Sequence, residues 1–207
     1  MVVIGIVLWI AIKSSSSVSQ QSAETELESI QEKLINSLVL PTDYKRIPTF
    51  SLLNPKGDEA TESLFSEKWS FVFFGYTNCP DICPTTLAIA KSAIDKLAKE
   101  PVLHPQVVFV TVDPERDTAS HLDKYLNFFD PNFTGITGDV NQLSKWVSSL
   151  GISFQRHNEK DTIDYAVDHS ATILLVDPEN RIRGSFNTPL EVDTIVSDYQ
   201  TIVQSSS

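Results

Sequence analysis

The sequence predicts a mixed α/β fold, one sheet with helices on both of its faces. Three observations predict it. The runs SFVFFG (70–75) and VVFVTV (107–112) are apolar without alternation, the mark of strands buried on both faces. Each is followed by a segment of helical periodicity, so the two strands should be parallel neighbours joined through right-handed crossovers. ATILLVD (171–177), the turn PEN and RIRGSF (181–186) read as a hairpin that adds antiparallel strands. Strands alternating with helices and closing on a hairpin and a helix make the thioredoxin-like order, here with an N-terminal extension and a membrane-proximal segment.

The elements follow in chain order. MVVIGIVLWIAIK opens the chain with an apolar run of about 12 residues, short of the ~20 that span a bilayer. Residues 1–12 read as a membrane anchor; a signal-peptide core and a buried helix are the other readings. Residues 13–44 read as a linker, polar at SSSSVSQQS (14–22), with an amphipathic helix at 24–38 that Pro41 ends. Residues 45–203 form the domain. FSLLNPKGD enters a turn at Asn54–Gly57, and Thr85–Lys99 is a helix with Leu87, Ala90, Ala93, Ile94 and Leu97 inward. Asp117 or Thr118 caps a helix to about Phe129, Asp139 caps the next, and Pro189 begins the last.

Composition excludes some functions. The 207 residues carry a net charge of −11, and the few basic residues are scattered, so there is no footprint for nucleic acid. The domain surface likewise does not suit anionic headgroups. Two cysteines cannot build a disulfide scaffold. The only methionine is Met1, which leaves Cys79, Cys83 and four histidines as soft or borderline metal donors.

Both cysteines lie in CPDICP (79–84). The residue before a proline avoids the α region, and proline favours the first helical position, so Cys83 is expected at a helix N-cap with Cys79 in the preceding loop. The strand 70–75 delivers that loop to the carboxyl edge of the sheet, where α/β proteins place their sites. The helix dipole should lower the thiol pKa there. A purely structural disulfide closing so small a loop gains little. A redox pair remains open, although thioredoxin-type motifs have two intervening residues and this one has three. Two thiolates also suit Cu(I), or zinc with further donors.

Topology offers a third donor, with a histidine satisfied by loop carbonyls as the other reading. His169 directly precedes the strand 171–177, whose amino end should meet the carboxyl end of SFVFFG beside the cysteines. His104 falls at the opposite edge, and His121 on a polar helix is expected in solvent. His157 lies in the long polar connection 156–169, a length that marks functional or mobile loops. Asp168 is placed to orient the His169 imidazole or to be solvated in its loop. Asp113, Glu115, Arg116 and Asp117 read as residues that turn the chain and cap a helix.

The motifs GYTNCPDICPTTL (75–87), TVDPERDT (111–118), ITGD (136–139) and YAVDHSATILLVDPENRIRG (165–184) resemble those of the Sco/SenC family. The resemblance covers residues 45–203. It implies a thioredoxin fold, an N-terminal anchor and an exported domain, periplasmic at the inner membrane or in the mitochondrial intermembrane space. It also implies one copper ion, Cu(I) or Cu(II), held by Cys79, Cys83 and His169. The implied task is delivery of copper to the copper-site subunit of cytochrome c oxidase, alongside other copper chaperones or thiol reductants. The alternative is a thiol–disulfide oxidoreductase using Cys79 and Cys83 on the oxidase cysteines. A thiol peroxidase fits less well, because Pro80 and Pro84 match the metal motif better.

Overall fold

A computed structural model describes residues 21–98, 104–152, 155–157, 166–168 and 171–206. A six-stranded sheet runs in the order β1 (Ser37–Val39), β10 (Ile182–Phe186), β9 (Ile173–Val176), β4 (Ser70–Gly75), β5 (Gln106–Thr111), β6 (Thr134–Ile136). The pairs β4–β5 and β5–β6 are parallel; β9 and β10 form the expected hairpin, with β9 antiparallel to β4. The hairpin β2 (Leu52–Leu53) and β3 (Glu59–Ala60) is separate, and its turn at Asn54–Gly57 uses Gly57 at φ 87°.

Why β4 lacks alternation is visible in the core. Phe71 and Phe73 join one apolar cluster with α2 (Ile82–Leu97), α3 (Ala119–Phe129) and α5 (Val192–Gln204). Val72 and Phe74 join the cluster on the other face with α4 (Val140–Ser149). A strand covered on both sides needs apolar residues at every position. Asp139 caps α4 as expected, accepting from the backbone N–H groups of Asn141 and Gln142, each at 3.0 Å.

Three boundaries differ from expectation. The first helix, α1, is described over residues 21–31; Leu38 instead lies on β1, and Leu38 and Ile35 are exposed. The cause is the buried Asp198 carboxylate, which accepts from Ile35 N at 2.9 Å, Asn36 N at 3.2 Å and Ser37 Oγ at 2.6 Å and so draws this segment into the sheet edge. The last helix starts at Val192 rather than Pro189, because the Asn36 amide donates to the carbonyls of Asn187 (2.9 Å) and Pro189 (3.0 Å) and holds them against the N-terminal segment. The connection 156–169 is not wholly irregular: β7 (Gln155–His157) pairs antiparallel with β8 (Ala166–Asp168).

Candidate metal centre

Gly75 ends β4, and the chain turns at once. The Cys79 N–H donates to the Tyr76 carbonyl at 3.2 Å, closing a tight turn with Thr77 and Asn78 at its centre. Helix α2 begins three residues later. Its N-cap is Asp81 rather than Cys83, which is the second helical residue. Pro84 does not prevent this, since the first turn of a helix has no use for the missing N–H.

That shift decides the fate of the two thiols. Cys83 is fully buried in the apolar cluster that also holds Phe73 and Phe109, its sulfur lying where a Gly75 side chain would be. Cys79 is half-buried and touches both apolar clusters at the sheet edge. Neither is in a disulfide. Burial pushes the Cys83 thiol far above its ordinary pKa; a backbone hydrogen bond at Tyr76 opposes this, and the Cys79 thiol and Asp117 reinforce it. The expected lowering by the helix dipole is therefore overturned for Cys83. A dipole contributes about 0.3–1 kcal/mol, and desolvating a charge costs several times more.

The turn before Cys79 is clamped from α3's side of the sheet. Asp117 is fully buried, and its carboxylate accepts from Thr77 N at 3.0 Å, Thr77 Oγ1 at 2.5 Å and Thr111 Oγ1 at 2.6 Å. Thr137 Oγ1 donates to the Asp117 carbonyl at 2.7 Å. Burial still leaves the Asp117 carboxyl above its ordinary pKa. Beside it, the buried Asp113 pairs with Arg116, whose guanidinium lies 5.6 Å over the Tyr76 ring. The sequence reading assigned these residues to turning and capping. Thr118 is the actual cap, so Asp117 was free for another duty, and an acid directly before a capping threonine was the available signal.

The histidines divide. His104 is exposed just before β5, at the far edge. His121 is exposed as expected, and its Nε2 lies 3.3 Å from Thr77 Oγ1. His157 lies on β7 opposite Ala166. His169 falls outside the described residues. Strand β9 begins opposite Phe73, so the chain enters it at the edge that carries the cysteines. Among the described residues no three His, Cys, Asp or Glu side chains converge as a metal site.

The SCO1/SenC family pattern matches residues 41–204. A Stutzerimonas stutzeri protein named for copper binding is 36% identical over 158 residues, 76% of each chain. The mitochondrial SCO1 homolog 1 of Arabidopsis thaliana is 35% identical over 146 residues, 70% of this chain and 43% of its own length. Thus the chain spans three quarters of one of these relatives and less than half of the other. The crystal structure of Arabidopsis thaliana ScoI with copper bound superposes with a TM-score of 0.72 at 33% identity, covering 77% of this chain and 99% of that one.

Proposed function

This chain belongs to the SCO1/SenC family, and from that premise we propose that it carries copper for the maturation of a respiratory cytochrome c oxidase. One ion is bound through Cys79, Cys83 and His169. The observation that supports this most is the pair of interacting thiols at the carboxyl edge of β4, unbridged and four residues apart. Two soft sulfurs with one imidazole form a donor set for copper rather than for a hard cation. Copper here is cargo: binding displaces the thiol protons, and release restores them.

A thiol–disulfide role would have to begin at half-buried Cys79, since burial favours the thiol form of Cys83. A metal ion overcomes that penalty by replacing the proton. The exposed Ile82 between the cysteines supplies an apolar contact for the oxidase subunit that receives the ion. The domain works outside the cytoplasm, in the periplasm or the intermembrane space, with residues 1–12 holding it to the membrane. Among the described residues no helix is long and apolar enough to cross one.

The test is copper content after anaerobic loading and gel filtration. Wild type should retain one copper per chain, Cys79→Ser and Cys83→Ser none, and His169→Ala should bind at least ~10-fold more weakly. A His169→Ala protein that matures the oxidase as well as wild type sinks the copper reading and restores the reductase.

A further inference from the structure

We propose that the outer edge of β1 is a pairing site for a second copy of this chain, closed in the single molecule by the side-chain amide of Gln31.

The pleat decides which groups are at stake. β1 pairs with β10 in the antiparallel register Ser37↔Phe186, Leu38↔Ser185, Val39↔Gly184. The Leu40 N–H donates to the Arg183 carbonyl at 2.8 Å, so Leu38 and Leu40, two apart, direct their backbone groups to β10. Ser37 and Val39 turn theirs away from the sheet. Outward groups on an end strand are a template for another chain. β1 ends the sheet, and its three residues, SLV, include none of the charges or prolines that usually guard an edge.

Gln31 takes the place of a further strand. Its Nε2 donates to the Ser37 carbonyl at 2.8 Å, and its Oε1 accepts from the Val39 N–H at 3.0 Å. One carboxamide thus offers β1 the donor and the acceptor that a neighbouring backbone would. The chain around it is anchored by buried Ile30, with Leu27 and Leu34 packed on the same apolar cluster. Pairing requires Gln31, at the end of α1, to move off the edge.

A second copy fits by symmetry. In an antiparallel pair, the residues on either side of a non-hydrogen-bonded position exchange bonds across the strands. With Leu38 set opposite Leu38 of the second copy, the Val39 N–H of each chain donates to the Ser37 carbonyl of the other. Those are the two groups that Gln31 occupies. Facing side chains come closest at a non-hydrogen-bonded position, and there Leu38, 45% exposed, meets its mate. The two-fold register therefore supplies both bonds and an apolar contact at once, and it brings no charges together.

The test puts a thiol on the axis. Leu38→Cys is made in the full 207-residue chain with Cys79→Ser and Cys83→Ser, so that position 38 carries the only sulfhydryl. Facing Cα atoms of a non-hydrogen-bonded pair lie ~4.5 Å apart, within reach of a disulfide. Under mild oxidant, adding Gln31→Ala should speed formation of the covalent dimer at least ~10-fold, about the worth of two hydrogen bonds. Gln31→Glu keeps the acceptor, loses the donor and should fall between. Ile35→Cys, exposed but off the axis, reports chance collision and should not respond to Gln31→Ala. Hydrogen exchange is the second measurement, made on Gln31→Ala alone. The Val39 N–H should exchange fast in dilute solution and slowly in concentrated solution, while the Leu40 N–H stays protected by β10. Equal cross-linking with and without Gln31→Ala overturns the proposal, as does a Val39 N–H that exchanges fast at every concentration. Loss of protection at Leu40 also overturns it, because Gln31 would then hold β1 in the sheet rather than close its edge.

Discussion

Asp198 and Asp117 are the same device used at two ends of the molecule. Each is a fully buried aspartate whose carboxylate accepts three hydrogen bonds at 3.2 Å or less, from one stretch in the case of Asp198 and from a turn and a strand end in the case of Asp117. Asp198, on α5, gathers Ile35, Asn36 and Ser37 and so sets β1 against β10. Asp117 gathers Thr77 and Thr111 and so sets the turn that precedes Cys79. The difference lies in what the clamped segment does next. One becomes an edge strand. The other presents a thiol.

The contrast can be broken most forcefully at Asp198. Asp198→Ala leaves two backbone N–H groups and a buried hydroxyl without their acceptor, each costing roughly 1–3 kcal/mol. We expect a loss of about 4 kcal/mol in urea unfolding, with copper affinity of the folded protein unchanged. Asp117→Asn is isosteric and turns one acceptor into a donor facing Thr77 or Thr111. About 2 kcal/mol of stability should go, and here copper loading should slow as well. A variant at Asp117 that loses stability but loads normally would make the two clamps equivalent.

Smaller effects sharpen the distinction through pH. Burial favours the protonated form of the Cys83 thiol, and under the proposed copper reading the ion displaces that proton. Affinity for Cu(I) should therefore rise with pH across neutrality, by up to ~10-fold per unit for each proton displaced. A competition titration at several pH values checks this; a flat profile would mean that binding displaces no proton from the thiols. Iodoacetamide should in turn modify half-buried Cys79 before Cys83, read by peptide mass.

The least effect concerns Asp117 itself. Its pKa in the folded protein lies above the ordinary value, so the folded state holds the proton more tightly than the unfolded chain. Stability from this group is highest below the ordinary aspartate pKa and falls as pH rises toward the raised one. Asp117→Asn removes that slope, which unfolding curves across the acidic range can detect.

Much of this was readable from the chain. The unalternating SFVFFG announced a strand covered on both faces, and the cysteines fell at its carboxyl end as the topology required. Asp139 declared its helix by the chemistry of capping. What escaped had non-local causes. β1 is three residues long and exists through Asp198, 161 positions away from Ser37. The helix start at Ile82 escaped because a rule about residues before proline outweighed the burial of Cys83. His121 is exposed as read; its contact with Thr77 escaped because only the fold brings α3 against that turn. The apolar opening of the chain and His169 lie outside the described residues.

Gly75 carries one more consequence. A Cβ placed there would stand 2.6 Å from Cys83 Sγ and 3.0 Å from ring atoms of Phe73 and Phe109. The sulfur rests in the volume of a side chain that is not there. Were every residue tried at position 75, alanine already would drive the thiol out of its niche or the helix off the sheet, so the set of permitted letters shrinks to one. A position that contributes no side chain at all thus limits which sequences can keep this thiol in place.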